Sequence, residues 1–345
     1  MNIIHIGIKR ALSLALSAAV AVSCTVTAFA QNGKIVTVES PVPEKVLVIG
    51  DSIATGYGLE GYDGGRDNVA SYVNILKAEF ESELKAGTER FENKAKDGQT
   101  SSQLLSDMDM GEYDESLSDA DLVIISIGGN DLMKTLGKYF SASKGEGFSI
   151  REMLSGISIT DIAKLISGVS SAIDGAVETY GENLSRIYEH IRHNSDAKVI
   201  IQTVYDPTDN VEELSLVSNF VNEKINALNS EIIKRSVDEN GKDTYSVADV
   251  YSAFAGQGKE LTNIGEMDIH PNSQGHKTIY ETVDQKVREN IYKVEILKED
   301  ITAPEQGDKK PDDTKSTILH LLGGAALIGL VVTVLIIAKR KSEQK

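Results

Sequence analysis

The sequence predicts an α/β fold in which helices cover both faces of a parallel β-sheet. Apolar residues recur every three or four positions from Val69 to Leu84, which predicts a helix with one buried face. Continuous apolar strands that alternate with such helices are typical of a parallel sheet. Three short apolar runs predict strands, at Lys45–Ile49, Leu122–Ile127 and Lys198–Val204, and the less apolar segments Arg90–Ala95 and Tyr245–Val250 complete a set of five.

The other predicted elements follow from the same patterns. Ile279, Val283 and Val287 stand four apart and predict a closing helix. Residues 136–180 are more than a single connection between two neighbouring parallel strands requires. A helical period runs through the second part of this stretch and on to residue 191, which predicts one or two long helices packed on the sheet. The Gly- and Ser-containing first part is either a connection or a lid over the site.

Composition limits the classes of function. The chain has 345 residues, a formal net charge of −17 and a sequence pI near 4.8, which argues against nucleic-acid binding. It has no Trp and few aromatic residues, so a stacking platform for single strands is also disfavoured. Cys24 is the only cysteine, which excludes a disulfide framework, a thiolate zinc site and a cysteine nucleophile in the body of the protein.

The N-terminal residues 1–30 are typical of a secretory signal peptide. Lys9 and Arg10 precede an apolar run, and Ala28-Phe29-Ala30 has the small residues that signal peptidase requires. Two alternatives stay open: a lipoprotein signal that ends at Cys24, and a membrane anchor, for which the apolar core is short.

The C-terminal part predicts a membrane anchor. Residues 317–338 carry no formal charge and are long enough to span a bilayer as a helix. Lys339-Arg340-Lys341 follows, which predicts that the tail 339–345 is cytoplasmic. Residues 299–316 have the composition of a flexible linker. We therefore expect an extracellular domain over 31–298 on a single-pass protein of the cell membrane.

A candidate nucleophile and base can be chosen from the residue types. Ser52 follows the first strand and the glycine at position 50, but a serine attacks only when a base removes its proton. Four histidines lie within 31–298. His190 and His193 fall on the predicted long helix, and His276 falls in the closing helix. His270 precedes a proline in a loop, where the backbone is kept out of helix, and it is the strongest candidate base.

A serine that attacks a carbonyl group also needs hydrogen-bond donors for the oxyanion that forms. Asn130, in the turn after the third strand, offers a side-chain amide. Gly98, after the second strand, offers a backbone N–H, although a glycine there is also compatible with a plain turn. Sites of open parallel sheets lie at the carboxyl ends of the strands, where both residues are expected.

These residues resemble the motifs of the SGNH, or GDSL, hydrolases. Four blocks match in the family's order: Gly50-Asp51-Ser52, Gly98 within N-x-A-x-x-G, Gly128-Gly129-Asn130-Asp131 and His270-Pro271. The resemblance covers about residues 45–287. It implies a flavodoxin-like sheet in the order 2-1-3-4-5 and ester hydrolysis through an acyl-serine. Ser52 would be the nucleophile and His270 the base, and Ser52 N–H, Gly98 and Asn130 would form the oxyanion hole. No metal and no cofactor are implied.

The sequence departs from the family at one position. The family usually has an aspartate three residues before the histidine, and Met267 occupies that place. We expect Asp268 to hold the imidazole. Glu266 and a backbone carbonyl, as in a Ser–His dyad, are the alternatives.

The leading hypothesis is a membrane-tethered serine esterase of the GDSL lipase type, acting on a small acyl-ester or lipid-like substrate. A carbohydrate O-acetylesterase is the alternative activity. A degenerate module that binds a lipid or glycan without turnover is an alternative of another class, and Met267 is the feature that favours it. The oligomeric state is left open.

Overall fold

The structure is a computed structural model that describes residues 35–84, 90–144, 159–266 and 268–297. The chain divides into two compact units between Ile296 and Leu297. The second unit lies almost wholly outside the described residues, so the architecture below is that of the first. The predicted signal peptide, linker, membrane span and tail also lie outside the described residues.

The central sheet has five parallel strands in the order β3-β2-β4-β5-β6. Counted over the five predicted strands, this is the order 2-1-3-4-5, and the prediction is confirmed. Two further strands, β1 and β7, form a separate two-stranded sheet that the sequence did not predict. The strands are β1 Ile35–Ser40, β2 Lys45–Gly50, β3 Arg90–Asn93, β4 Leu122–Ser126, β5 Lys198–Gln202, β6 Ser246–Ala248 and β7 Tyr292–Leu297.

Helices connect the strands. They are α1 Ser52–Thr55, α2 Tyr72–Leu84, α3 Ser101–Asp109, α4 Asp114–Asp119, α5 Gly129–Lys144, α6 Ile159–Asn194, α7 Ser215–Arg235, α8 Val250–Phe254, α9 Gly258–Leu261 and α10 Ser273–Val287. Short 3₁₀ turns are formed by Tyr62–Gly64, Arg66–Asn68, Glu212–Leu214 and Ile264–Glu266.

Two apolar cores lie on opposite faces of the sheet because successive strand residues point to opposite sides. In β4, Val123 and Ile125 face the core that contains α3 to α7, whereas Leu122 and Ile124 face the core that contains α2 and α10. All four side chains are fully buried. The predicted three-layer α/β arrangement is therefore the one observed.

The long stretch after the third predicted strand forms two helices. Helix α5 follows β4 directly, and α6 runs unbroken for 36 residues, which agrees with the predicted long helix. Its buried face includes Val169, Ile173, Tyr180, Leu184 and Ile191. The Gly-containing segment that was considered as a lid, at Gly145 and Gly147, lies outside the described residues. No helix in the part of the chain that the structure describes has the length and apolarity needed to cross a membrane.

Candidate active site

A sharp turn after β2 presents Ser52 at the carboxyl edge of the sheet. Gly50 has a φ of +131°, and a Cβ there would lie 1.8 Å from the carbonyl oxygen of Ser126 on β4. Only glycine fits this close approach. The next N–H, of Asp51, donates to the same carbonyl at 2.9 Å. The chain then enters α1, whose first residue is Ser52.

Asp51 caps this helix from a buried position. Its carboxylate accepts hydrogen bonds from the N–H of Ile53 at 3.1 Å and from the hydroxyl of Ser126 at 3.3 Å. Burial raises the pKa of Asp51 to about 7, because the charged form is deprived of water. Asp51 therefore fixes the turn that carries Ser52.

The structure brings together the serine, the histidine and the aspartate that the sequence singled out. Nε2 of His270 lies 3.0 Å from Oγ of Ser52. Nδ1 of His270 lies 2.5 Å from Oδ1 of Asp268. Because the Asp268 carboxylate accepts a hydrogen bond from Nδ1–H, the ring proton is on Nδ1. Nε2 therefore has a free lone pair that faces the serine hydroxyl.

The two-residue spacing from Asp268 to His270 has a simple geometric basis. Oδ1 of Asp268 also accepts the backbone N–H of His270 at 3.0 Å, an arrangement that Asp side chains commonly adopt with the residue two positions on. One carboxylate oxygen thus binds both the backbone and the ring of the histidine. Glu266 is solvent-exposed, and Met267 lies outside the described residues.

Neighbouring groups hold the histidine loop in place. The N–H of Asn263 donates to the carbonyl of His270 at 2.9 Å, and the hydroxyl of Tyr205 donates to the carbonyl of Ile269 at 2.8 Å. The ring of Tyr57 lies 4.7 Å from the imidazole, between centroids. Tyr57 and Tyr205 cannot be recognised from the sequence, because no local pattern marks a residue that contacts a loop more than 60 positions away.

The two candidate oxyanion donors are neighbours in space. Nδ2 of Asn130, in the first turn of α5, donates to the carbonyl of Gln99 at 3.1 Å. This bond places the Asn130 amide beside the turn that contains Gly98, which has a φ of +69°. The amide has a second N–H, which this bond leaves available. The strands that carry these groups, β3 and β4, flank β2 as predicted.

A set of hydrogen bonds that the sequence did not reveal fixes the Gly98 turn against α1. Asp97 accepts the hydroxyl of Thr55 at 2.5 Å and that of Tyr62 at 2.7 Å. Asn93 donates to the carbonyl of Ala54 at 2.8 Å. Hydrogen bonds therefore join the Gly98 turn to the helix that carries Ser52.

Asp131 joins the starts of α3 and α5 in the same way. Its buried carboxylate accepts the N–H of Ser101 at 3.0 Å and the Ser101 hydroxyl at 2.5 Å. Burial raises the pKa of Asp131. This contact orients the first turn of α5, from which the Asn130 side chain projects.

The other histidines have the positions that the sequence predicts. His190 lies on α6 with Nε2 2.9 Å from Asp114, and His193 is exposed on the same helix. His276 is fully buried in α10, where its Nδ1 accepts the N–H of Tyr72 at 3.3 Å. No bond joins any of the three to Ser52.

A cavity of about 690 Å³ opens beside Ser52, Asn130 and His270. This volume is in the usual range for small-molecule sites, about 300–1,000 Å³. Helix α5 contributes three apolar residues to its lining and α7 contributes four: Leu132, Met133, Leu136, Val217, Phe220, Val221 and Ile225. The arrangement combines a hydrogen-bonded serine, a base with an oriented ring, an amide donor and an apolar chamber.

Comparison with known proteins gives a family match and a related protein. The GDSL-like Lipase/Acylhydrolase family matches residues 48–278, which contain all five candidate residues. The uncharacterized protein YpmR of Bacillus subtilis (strain 168) is 25% identical over 271 residues, which are 77% of this chain and 91% of YpmR.

Among solved structures, the lipase Lip_vut3 from a goat rumen metagenome superimposes with a TM-score of 0.51 at 20% identity, covering 70% of this chain and 96% of the lipase. The psychrotrophic esterase EstA from Pseudoalteromonas sp. has a TM-score of 0.44 at 16% identity, with coverage of 71% and 97%. At these identities the first likeness shows the fold alone. The family match covers more than half of the chain and confirms the resemblance seen in the motifs. The chain belongs to the GDSL-like lipase/acylhydrolase family, whose members are esterases and lipases.

Proposed function

We propose that this protein is an extracytoplasmic serine hydrolase that cleaves acyl esters through an acyl-serine intermediate. The observation that carries the proposal is the continuous hydrogen-bonded chain from Ser52 through His270 to Asp268, with distances of 3.0 and 2.5 Å. Both distances are short enough for a direct hydrogen bond, and the Ser52 proton can therefore pass to Nε2 of His270 without an intervening water.

In the first half of the reaction, Oγ of Ser52 attacks the ester carbonyl carbon while Nε2 of His270 takes the hydroxyl proton. The carbonyl π-electrons move to oxygen, and the resulting oxyanion is stabilised by N–H donors. We assign this role to the backbone N–H groups of Ser52 and Gly98 and to the Asn130 amide. His270 then gives its proton to the leaving alkoxide, and the alcohol departs from the acyl-serine.

In the second half, water attacks the acyl-serine carbonyl, and His270 again acts as the base. The tetrahedral intermediate collapses, the bond from the acyl carbon to Oγ breaks, and the proton on Nε2 returns to Ser52. The Asp268 carboxylate stabilises the imidazolium that forms in each half. Met267 was the one sequence feature that favoured a degenerate binding module. The contact between Asp268 and His270 supports an enzyme instead, because the histidine has a carboxylate partner.

The location of the protein is part of the proposal and depends on the sequence alone. The predicted signal peptide 1–30 and the predicted span 317–338 support an extracellular catalytic domain on a membrane anchor. Protease treatment of intact cells tests it. We expect the catalytic domain to be cleaved from the surface, and protection of that domain until the cells are lysed would contradict it.

A fluorophosphonate probe tests the chemistry, because it labels only a serine whose hydroxyl is activated. We expect labelling of the wild type, loss of labelling in Ser52→Ala, and retention in Ser230→Ala, which alters an exposed serine on α7. Hydrolysis of p-nitrophenyl acetate should follow the same order. Labelling and turnover of Ser52→Ala at the wild-type level would disprove the mechanism.

A further inference from the structure

Gly98 lies in a β-turn that runs from Lys96 to Gln99. The N–H of Gln99 donates to the carbonyl of Lys96 at 3.1 Å, and Gly98 has a φ of +69°. Among the described residues, none accepts the N–H of Gly98. The backbone donor that we assign to the oxyanion hole is therefore free, and its direction depends on how the two ends of the turn are held.

One carboxylate oxygen binds both ends of this turn. Oδ2 of Asp107, on α3, accepts the ammonium of Lys96 at 2.9 Å and the side-chain amide of Gln99 at 2.6 Å. Lys96 is the first residue of the turn and Gln99 the last. Asp107 therefore joins the two ends through their side chains, in addition to the backbone hydrogen bond between them.

The bond to Gln99 is the more consequential of the two. Gln99 is 3% exposed, and a buried amide that loses its acceptor is strongly disfavoured. Its Nε2 also lies 3.4 Å from the hydroxyl of Tyr113, whereas its Oε1 has no partner in the described part of the chain. The Lys96 side chain is 45% exposed, and exposed ion pairs contribute little. Asp107 therefore acts on the turn mainly through Gln99.

Gln99 also connects the turn to the second oxyanion donor. Its carbonyl accepts Nδ2 of Asn130 at 3.1 Å, and Gly98 directly precedes it in the chain. A displacement of Gln99 would therefore move both donors. Such donors act on the oxyanion only at about 2.7–3.1 Å, so a small displacement would lower the rate.

Lys96 allows a carboxylate to lie close to this turn. Its N–H donates to the carbonyl of Gly50, two residues before Ser52, at 2.9 Å. The carboxylates of Glu112 and Asp107, which its ammonium binds at 2.5 and 2.9 Å, raise the pKa of Lys96. Lys96 therefore stays charged and offsets a negative charge that would otherwise oppose the oxyanion.

We propose that Asp107 is a positioning residue of the oxyanion hole and that, through Gln99, it holds the Gly98 N–H and the Asn130 amide at the oxyanion. This inference rests on the proposed function, since the oxyanion forms only when Ser52 attacks a carbonyl. It goes further by assigning control of the rate to a residue of α3 that does not line the described cavity.

Replacing Asp107 tests the proposal. Asp107→Ala should lower kcat for p-nitrophenyl acetate by roughly 10- to 100-fold, less than the loss of a donor itself, with KM within about twofold. Asp109→Ala removes an exposed aspartate of the same helix, which pairs with Arg186, and should keep the wild-type kcat. Unchanged kcat in Asp107→Ala, or a change confined to KM, would overturn the proposal.

A conservative variant tests the route through Gln99. Asp107→Asn keeps an oxygen that can accept the Gln99 amide, so it should recover most of the kcat that Asp107→Ala loses. This variant also replaces Asp107→Ala if the latter does not fold. In that case Gln99→Leu should lose the kcat that Asp107→Asn keeps. If Asp107→Asn were as slow as the variant that lacks the bond, the Gln99 contact would not be the route.

Inhibition by trifluoroacetone gives a measurement that a purely structural role would not change. Oγ of Ser52 adds to the ketone carbon, the serine proton passes to His270, and the ketone oxygen becomes an oxyanion. Because this adduct resembles the transition state, its Ki in Asp107→Ala should rise by about the factor by which kcat/KM falls. An unchanged Ki would contradict the proposal.

The second donor provides a double-variant test. In an Asn130→Ala background, Asp107→Ala should lower kcat by a smaller factor than in the wild type, because one of the two donors that it positions is already gone. The full wild-type factor in that background would show that Asp107 does not act on Asn130.

These outcomes can be distinguished from those of the proposed function. Loss of turnover in Ser52→Ala, together with unchanged kcat and Ki in Asp107→Ala, would leave the serine mechanism intact and refute the role of Asp107. Retained turnover in Ser52→Ala would instead refute the proposed function, and this inference with it.

Discussion

His270 and His276 are six residues apart and have opposite environments. His270 is partly exposed and lies between a carboxylate and a serine hydroxyl. His276 is fully buried, accepts a backbone N–H through Nδ1, and its Nε2 has no hydrogen-bond partner among the described residues. The bonds require opposite tautomers: the ring proton is on Nδ1 in His270 and on Nε2 in His276.

The difference shows what makes a histidine a base. Burial, together with the nearby His270, lowers the pKa of His276 to about 3, so its ring stays neutral at pH 7. Among the described residues, no acceptor binds its Nε2–H. His270 has a carboxylate to stabilise its charged form and a proton donor in reach. A short stretch of sequence therefore holds one histidine placed as a candidate base and one that stacks on the ring of Tyr72.

Replacing each histidine in turn should give the largest contrast. His270→Ala should lower kcat for p-nitrophenyl ester hydrolysis by roughly 10⁴-fold or more, as expected when the base of a triad is lost. His276→Gln should keep kcat within about threefold of the wild type, measured at a temperature where both proteins are folded. A comparable loss of kcat in both variants would mean that His276 takes part in the reaction.

The carboxylate that distinguishes His270 can be removed alone. Asp268→Ala should lower kcat by about 10³- to 10⁴-fold, because the imidazolium loses its partner and the ring loses its tautomer. Glu266→Ala is the matched control, since this acid is exposed, and its kcat should be nearly unchanged. If the two variants were equally active, His270 would be oriented by some other group.

Replacing Asn130 tests whether groups other than His270 and its carboxylate partner contribute to the rate of hydrolysis. Asn130→Ala should lower kcat by roughly 10²- to 10³-fold with little change in KM, because the amide acts on the charge that develops in the transition state. A change confined to KM would instead identify Asn130 as a contact to the bound substrate.

The buried histidine should reveal itself through stability rather than rate. A folded-state pKa lowered from 6.5 to about 3 stabilises the fold above pH 6.5, and this contribution is lost as the pH falls toward 3. The slope is about 1.4 kcal/mol of unfolding free energy per pH unit in this window. Urea denaturation from pH 7 to pH 4 should show this loss in the wild type.

The control for this measurement is His276→Gln, which should lack the slope. Asp51 changes the stability in the opposite direction, because its pKa is raised from 3.8 to about 7. Its contribution to the free energy of unfolding is lost as the pH rises through that range. Both proteins retain Asp51, so the difference between them isolates His276. Parallel curves for the two proteins would contradict the assigned burial effect.

Local signals explain what the sequence could predict. Three of the five sheet strands, β2, β4 and β5, are mostly apolar runs, and Gly50 marks the sharp turn before Ser52. The proline after His270 places this histidine in a loop and distinguishes it from the three other histidines of residues 31–298. In each case the deciding feature is a few residues long and needs no partner elsewhere in the chain.

What the sequence did not reveal depends on contacts between distant residues. Asp97 meets Thr55 and Tyr62 only after the sheet forms. The choice of Asp268 over Glu266 was an expectation that only a loop conformation could decide. Strand β7 alternates buried Tyr292 and Val294 with exposed neighbours, a weak pattern until the strand has a partner.

The small sheet of β1 and β7 has a consequence for how the protein can be handled. It joins the first and last described strands, and the N–H of Glu295 donates to Glu44 at 3.0 Å across 251 positions of sequence. Glu44 lies at the amino end of β2, whereas Ser52 lies beyond its carboxyl end. The chain therefore leaves the described domain near the amino end of β2, and a tag attached after residue 297 would begin away from Ser52.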